Sequence, residues 1–303
     1  MADDGARLNE ALGAAADGHT VRIRRGGEAT HYQVGEAGRR AWAADAAERT
    51  GYDVQVLTAA RLLGGGGGVD LLLGLPLGLW SQVGQRRALR TSLEGRAAMV
   101  EVDGDSEAAV TIRSVQVLPQ VAGAFQYALD RGPSLALRPV GLIDVGHRTT
   151  DFLVMRRADA GLAPDEAACG SVDLGAGQVY ERVRQLLTEQ AGVLIPEGAV
   201  EDALVHYGGR LYLQGSEVDA GVRVEEGMWH LAAEVAEEVR RAWGDRLALL
   251  GAVLVCGGGG QAIAAYLGGV HPLVQLVPDA LYANALGYLG MVGAIPVLAA
   301  EGA

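Results

Sequence analysis

The chain has 303 residues and a formal net charge of -12, which disfavours a surface that coats nucleic acid, because such surfaces concentrate positive charge to bind phosphates. Half of the residues are hydrophobic, which excludes a disordered chain and, at this length, indicates about two globular domains. All 25 basic residues are arginine, so no lysine is present to contact a phosphate or form a Schiff base.

Cysteine spacing and terminal composition indicate the cellular context. Cys169 and Cys256 have neither zinc-site nor disulfide-framework spacing, which is typical of a reducing compartment. The acidic start, residues 1–18, lacks the basic and apolar regions of a signal peptide. The apolar stretch 285–300 is interrupted by glycine and proline and is shorter than the ~20 residues of a spanning helix. We therefore predict a cytoplasmic protein without a membrane segment.

The first half of the chain alternates between strand and helix patterns. Residues 20–34 predict a hairpin around a glycine pair, and the alanine-rich stretch 35–49 predicts a helix. The five-glycine run 64–68 has no basic or hydroxyl partner at P-loop spacing, so it predicts a flexible linker or a trimmed loop before an apolar strand. A hairpin-like region follows, and residues 120–130 predict a helix.

The second half continues this alternation. An apolar strand begins at residue 140 and leads into a hairpin partner from residue 151. Amphipathic helices are predicted at 177–191 and 224–243, from apolar residues at three-and-four spacing. A further apolar strand is followed by four glycines and a helix. Strands and helices that alternate in this way predict the α/β class.

The stretch "VGLIDVGHRTTDFLVM" places an acidic residue at the end of an apolar strand. The carboxylates of Asp144 and Asp151 suit a hydrated magnesium ion, which prefers oxygen ligands and keeps water molecules. Gly146 would let backbone N–H groups approach a phosphate, and the hydroxyl groups of Thr149 and Thr150 could add donors. From the residues alone, a β-hairpin with a capped polar turn remains an equal alternative.

Two more glycine turns stand between a strand and a helix. The run Gly257–Gly260 follows an apolar strand, where backbone N–H groups and a helix N-terminus could attract a phosphate or let a flat base lie against the chain. The turn "DLGAGQV", residues 173–179, also leads into a helix. A single turn of this kind is weak evidence, but several together favour a nucleotide site.

In combination, these motifs resemble the actin and heat-shock-chaperone ATPase superfamily, and most closely the archaeal actin-like and ParM (StbA)-type plasmid-partition proteins. "IDVGHRTTDFLVM" is similar to the second phosphate motif, "VLVCGGGGQAI" to the adenosine motif and "PDALYANALGYLG" to the second connecting motif. "LPLGLW" and "VQVLPQVAGAFQYAL" resemble the segments around the first connecting motif. The resemblance implies a two-lobed α/β fold of the ribonuclease H-like type.

The resemblance also implies roles for individual residues. Asp144 would hold the water shell of a magnesium ion, and Asp151 would assist it or orient the attacking water. Gln120 would position that water by hydrogen bonding. The remaining nucleotide-binding residues would be those of the glycine turns and of the loop after Asp144: Gly146, His147, Arg148, Thr149, Thr150, Gly175, Gly177, Gly257, Gly258, Gly259 and Gly260. The loops 144–151 and 257–260 are expected to face one shared cleft that holds ATP or GTP with Mg²⁺.

One family motif has no counterpart in this sequence. The family normally opens with a strand, an acidic residue and a glycine turn that form its first phosphate motif, whereas residues 1–19 resemble a helical or disordered lead-in. The resemblance therefore implies a first lobe (1–139) that lacks its first strand, through deletion, fragmentation or a start placed too far downstream. A second lobe (140–275) and a C-terminal helix returning to the first lobe (276–303) would complete the protein.

Several functions remain open at this point. The leading hypothesis is an actin-like protein that binds and hydrolyses ATP and forms filaments, for plasmid or DNA segregation or another cytoskeletal task, with a possible adaptor protein and no direct nucleic-acid or membrane binding. The first alternative is a scaffold of the same fold that does not hydrolyse nucleotide, or a truncated fragment of the ATPase. A sugar kinase of the same superfamily is a weaker possibility, because no separate sugar-binding segment is evident.

Overall fold

The structure is a computed structural model that describes residues 18–35, 51–132, 135, 137–158 and 161–291; of residues 158, 161 and 162, only the backbone is described. The helices are α1 Tyr52–Gly64, α2 Leu77–Trp80, α3 Val83–Leu93, α4 Gln120–Arg131, α5 Ala176–Ala191, α6 Ala199–His206, α7 Ala220–Trp243, α8 Gly258–Ile263 and α9 Ala283–Met291. The strands are β1 His19–Arg25, β2 Glu28–Val34, β3 Gly67–Leu75, β4 Ala97–Val102, β5 Ala108–Pro119, β6 Val140–Val145, β7 Thr150–Ala158, β8 Gly161–Pro164, β9 Gly170–Val172, β10 Arg210–Leu213, β11 Ser216–Asp219, β12 Ala252–Cys256 and β13 Val274–Leu276.

The described residues fall into two compact units. The first contains the residues up to Leu73 and Gln82–Val117, and the second contains Gly74–Ser81 and the residues from Leu118 onwards. These units are defined by which residues pack together, so they do not test the predicted lobe boundaries at residues 139 and 275, which stay predictions.

A five-stranded sheet with the order β2–β1–β4–β5–β3 organises the first unit. The predicted hairpin is present: β1 pairs antiparallel with β2, and both glycines of its turn have positive φ angles. Val21 and Ile23 alternate along β1 and are buried together with Val100 of β4. Period-two burial of this kind is the expected pattern of a strand with one face in the core.

The second unit is built on the sheet β13–β12–β6–β7–β8, in which β9 also pairs with β7. Strand β12 runs parallel to both β6 and β13, whereas β6 and β7 are antiparallel. Leu142 on one face of β6 packs in a cluster with α4, and its neighbour Ile143 packs on the opposite face with α5 and α7. The sheet is therefore covered by helices on both faces, which explains why β6 and β12 are buried along their whole length.

Comparison with the predicted elements confirms the α/β class and the main helices of the second half. The five-glycine run differs from the predicted flexible linker: Gly64 ends α1, Gly65 caps it with a positive φ of 70°, and Gly67 begins β3. Glycine is favoured directly after a helix because it adopts the left-handed conformation without steric cost. The helix predicted at 35–49 and most of the lead-in 1–19 lie outside the described residues.

None of the described helices combines the length and the apolar character that are needed to cross a lipid bilayer.

Candidate functional site

Several polar residues of the second unit lie together where strands β6 and β12 end and β7 begins. Asp144 lies opposite Asp151 in the β6–β7 register and opposite Cys256 in the β6–β12 register. Both carboxylates are buried, with exposed fractions of 6% for Asp144 and 2% for Asp151. Because β6 and β12 are parallel neighbours, the loops that follow them emerge at the same edge.

Asp144 receives hydrogen bonds from two other elements. Asn284 of α9 donates from Nδ2 to Asp144 Oδ2 over 2.6 Å. The thiol group of Cys256 is a second donor, and its pKa is raised well above the usual value by burial and by the charge of Asp144, so it stays protonated. Burial raises the pKa of Asp144, and these two hydrogen bonds counter part of that increase.

Asp151 has an acceptor atom without a partner. Its Oδ1 is buried and accepts no hydrogen bond from any described residue. The pKa of Asp151 is raised to about 7, mainly by burial and also by the nearby charge of Asp144. Hydrogen bonds from the hydroxyl group of Ser171 and the N–H of Leu77 counter part of this increase. An unpaired buried acceptor is costly in an ordinary core, so this atom indicates a place for a cation or a donor group from outside the chain.

The loop between the two acids forms a tight turn that α5 holds in place. The N–H of Gly146 donates to the carbonyl of Thr149 over 2.9 Å, which closes the turn. Ala176 N–H donates to the Gly146 carbonyl over 3.1 Å, and Gly177 N–H donates to the His147 carbonyl over 2.7 Å. The predicted glycine turn at 173–179 is therefore bound directly to the loop after Asp144.

Gly175 and Gly177 are needed for this close approach. A Cβ atom on Gly175 would lie 2.5 Å from the Arg148 backbone, and one on Gly177 would lie 2.4 Å from the His147 ring. The guanidinium of Arg148 pairs with Asp173 at 3.7 Å. The two glycines thus pack the loop rather than forming an open surface of their own.

Thr150 has a different role from the predicted phosphate donor. Its side chain is fully buried, and its hydroxyl group donates to the Leu174 carbonyl over 2.6 Å. The bond ties β7 to the turn before α5, so this hydroxyl is already committed within the fold. Thr149, one residue earlier, is half-buried.

The glycine run after β12 lies beside the loop after β6, and the shared nucleotide cleft expected there stays a prediction. A Cβ atom on Gly257 would lie 2.5 Å from Asp144 Oδ1, and one on Gly259 would lie 3.0 Å from the Gly146 carbonyl oxygen. Gly258 and Gly260 belong to α8, where Gly258 is exposed and Gly260 is buried against Val255. With six residues, α8 is too short for a strong helix dipole, so close backbone approach is the main property of this run.

Gln120 is the first residue of α4 and lies next to α9. A Cβ atom on Gly74 would be 2.8 Å from Gln120 Cγ and 2.8 Å from the hydroxyl oxygen of Tyr288. Tyr288 donates that hydroxyl to the Pro119 carbonyl over 2.9 Å. Its pKa is raised by burial and by the charges of Asp144 and Asp151, so Tyr288 stays protonated and lies within electrostatic range of both acids.

Three contributors were missed in the sequence: Asn284, Ser171 and the thiol of Cys256. The only available signal was the polarity of Asn284, a carboxamide in the otherwise apolar segment "ALYANALGYLG". Its partner Asp144 lies 140 positions away, so no local pattern could have connected them.

The acid pair fits a magnesium ion that is held mainly through water. In the parts of the chain that the structure describes, no group of three or more His, Cys, Asp or Glu side chains could hold a metal ion by itself, so these side chains do not form a complete protein cage. Two carboxylates, one of which has an unpaired oxygen, suit Mg²⁺, which retains several waters and takes other ligands from phosphates.

Two family models match the chain and together cover most of its length. The model described as actin-like proteins, N-terminal domain, matches residues 5–123. The model described as archaeal actin homologue MreB-like, C-terminal, matches residues 142–268. The chain belongs to the actin-like ATPase superfamily.

Solved structures of actin-like proteins share its fold. A non-polymerisable quadruple mutant of pCBH ParM superposes with a TM-score of 0.80 and 22% identity, over 91% of this chain and 87% of that one. A 15-stranded ParM filament from Clostridium botulinum gives 0.77 and 23%, over 92% and 86%. The archaeal actin homologue Ta0583 in complex with ADP gives 0.72 and 22%, over 92% of both chains. At the sequence level, no curated protein matches the chain.

These findings confirm the predicted superfamily and its α/β fold for this actin-like protein. At identities below 25%, the superpositions establish the fold alone, so the individual roles of the site residues stay proposals.

Proposed function

We propose that this actin-like protein binds a nucleoside triphosphate, ATP or GTP, with Mg²⁺ at the edge formed by β6, β7 and β12, hydrolyses it, and assembles into filaments in a nucleotide-dependent way. The observation that carries the proposal is the buried pair Asp144 and Asp151 beside two glycine turns, with one acid oxygen left unpaired. A buried carboxylate oxygen destabilises a fold unless a hydrogen bond, an ion pair or a ligand satisfies it, so the unpaired Asp151 Oδ1 favours a binding role over a structural one.

Each part of the site has a defined task in this proposal. Asp144 holds the waters of the ion, and Asp151 assists there or orients the attacking water. A bound Mg²⁺ would neutralise the charge that develops on the phosphates. The backbone of residues 146–149 surrounds the β- and γ-phosphates, and the run 257–260 contacts the nucleoside, where glycine allows a flat group to approach. Gln120 positions the attacking water through a hydrogen bond.

Related proteins support the nucleotide and the filament separately. The Ta0583 structure is a complex with ADP, and the Clostridium botulinum ParM structure is a filament. A role in plasmid or DNA segregation would require an adaptor, because a net charge of -12 opposes direct contact with DNA phosphates.

A test measures turnover and sedimentation in the same sample, with ATP and GTP in turn. We expect the wild-type protein to release phosphate and to pellet with nucleotide. Asp144→Asn should lower turnover at least about 100-fold, since it removes a charge on which the transition state depends, while the circular dichroism spectrum is retained. Asp202→Asn, the same chemical change on the exposed surface of α6, is the matched control. Equal turnover of Asp144→Asn and wild type would contradict the proposal.

A non-hydrolysing scaffold is the second candidate. It is favoured by the pairing of Arg148, the arginine of the phosphate loop, with Asp173, and by the lack of lysine in the chain. Assembly that needs no nucleotide, together with no phosphate release from wild type, would support this candidate over the first.

A further inference from the structure

Asn284 is the residue through which the last helix reaches the buried acid. Its Nδ2 donates to Asp144 Oδ2 over 2.6 Å, and its Oδ1 accepts from the backbone N–H of Ala124 in α4 over 3.0 Å. One side chain therefore joins three elements of the second unit: the end of β6, the first turns of α4, and α9.

The chemistry of the two partners selects a carboxamide at this position. An ionised carboxylate only accepts hydrogen bonds, whereas a backbone N–H only donates them. A carboxamide supplies a donor and an acceptor on one planar, uncharged group. Aspartate at residue 284 would keep the acceptor and lose the donor, and alanine would lose both.

Direct backbone contact between α4 and α9 fixes the position of Asn284 relative to α4. A Cβ atom on Gly123 would lie 2.2 Å from the Asn284 carbonyl oxygen, and one on Gly287 would lie 1.7 Å from the Gly123 carbonyl oxygen. The helices therefore touch main chain to main chain, so the carboxamide has little freedom to move away from the acid. Small residues at a helix crossing permit this approach because no side chains intervene.

Few other groups are available to orient the carboxylate of Asp144. Among the described residues, the titratable groups around it are Asp151 on β7, Cys256 on β12 and Tyr288 on α9. Asp151 repels it, Tyr288 gives its hydroxyl to Pro119, and Cys256 is a weak thiol donor. Compared with these groups, Asn284 is the strongest hydrogen-bond donor to the Asp144 carboxylate.

We propose that Asn284 is a positioning residue, which fixes the orientation of the Asp144 carboxylate and couples it to α4, the helix that begins at Gln120. The inference rests on the proposed function, because it assigns Asn284 to the same nucleotide site. Asn284 acts through Asp144 and α4 and not by touching the nucleotide, so its loss affects hydrolysis and the Mg²⁺ requirement more than nucleoside binding.

The first experiment measures kcat, KM and the Mg²⁺ concentration for half-maximal turnover in Asn284→Asp and Asn284→Ala. Both variants should lose at least about tenfold in kcat and need more Mg²⁺, while the KM for ATP changes by less than about threefold. Asn284→Asp is nearly isosteric and keeps the acceptor for Ala124, so it remains informative if Asn284→Ala does not fold. A kcat and Mg²⁺ requirement equal to wild type in Asn284→Asp would overturn the inference.

The matched control is Tyr127→Phe. The Tyr127 hydroxyl donates to Asp279, so this variant also removes one hydrogen bond between α4 and the C-terminal segment, but one whose acceptor is Asp279 rather than Asp144. Its kcat and Mg²⁺ requirement should equal those of wild type. Equal losses in Tyr127→Phe and Asn284→Asp would mean that α4 packing alone is responsible, which would also overturn the inference.

A second experiment needs no nucleotide. Urea unfolding of wild type, Asp144→Ala, Asn284→Ala and the double variant forms a thermodynamic cycle. The unfolding equilibrium constant of the double variant should differ by at least about tenfold from the value expected if the two single effects were independent. Additive effects would overturn the inference whatever the activity. Strong coupling in a protein whose wild type shows no nucleotide binding would instead reject the proposed function and reduce Asn284 to a structural residue.

Discussion

Gly257 leaves room for the carboxylate of Asp144: a Cβ atom at residue 257 would lie 2.5 Å from Asp144 Oδ1 and 2.3 Å from the Val145 carbonyl oxygen. The two residues belong to adjacent parallel strands and their following loops, so the glycine turn after β12 and the acid at the end of β6 form one piece of structure. The site therefore requires glycine at residue 257 as much as it requires the side chains that line it.

Gly257→Ala should disturb both the fold and the site. The residue has a φ of +84°, a conformation that alanine adopts only with strain, and the new methyl group would overlap a carbonyl oxygen that cannot retreat. We expect a loss of at least about 2 kcal/mol in the free energy of unfolding, measured with urea. Gly258→Ala is the control, because its methyl group would meet only the flexible end of Leu281 at 3.1 Å. Equal losses in the two variants would contradict the assigned packing.

Gly287→Ala should separate α4 from α9. Its Cβ atom would lie 1.7 Å from the Gly123 carbonyl oxygen, so the helices must move apart, and we expect a loss of about 3 kcal/mol or more in stability. In Gly290→Ala, the methyl group would meet the exposed carboxylate of Asp130 at 3.1 Å. That control should be neutral or slightly stabilising, since alanine favours helix. Thermal midpoints of both variants provide the measurement.

Asp151→Asn should stabilise the protein without ligand, and more so at high pH. The pKa of Asp151 is about 7 in the folded state, against an ordinary value of 3.8, so the folded chain binds more protons than the unfolded chain between these values. Stability must then fall as pH rises through this window, by up to about 4 kcal/mol from this group.

The corresponding measurement is urea unfolding at pH 5 and pH 8.5. Asparagine does not titrate, so the stability difference between Asp151→Asn and wild type should grow with pH, whereas Asp202→Asn should show no such trend. A constant difference for Asp151→Asn would show that the carboxyl group has an ordinary pKa in the fold.

Gln120→Ala should slow hydrolysis more than it weakens nucleotide binding. Its carboxamide is assigned to the attacking water, which matters in the transition state, so we expect kcat to fall about tenfold or more while the nucleotide Kd changes by less than about threefold. Gln126→Ala, further along α4, removes a carboxamide that bonds to Asp130 and should leave both constants unchanged. A larger change in Kd than in kcat would assign Gln120 to binding instead.

The sequence by itself determined the α/β class and the helices of the second half, and it predicted the two acids of the candidate site. Apolar runs such as β6 and β12 and the helix periodicities of α5 and α7 are local properties, so they can be detected without knowing what they pack against. The order of motifs also predicted the superfamily. The resemblance also implied that Asp144 and the run 257–260 belong to one site, which stays a prediction.

Only the tertiary structure decided which groups complete that site. Asn284, which lies 140 residues from Asp144, becomes its hydrogen-bond donor because α9 and α4 touch at Gly287 and Gly123. The hydroxyl group of Thr150 was predicted to donate to a phosphate, but in the fold it donates to the Leu174 carbonyl. Contacts of this kind depend on the depth and register of packed elements, which the spacing of residues along one chain does not encode.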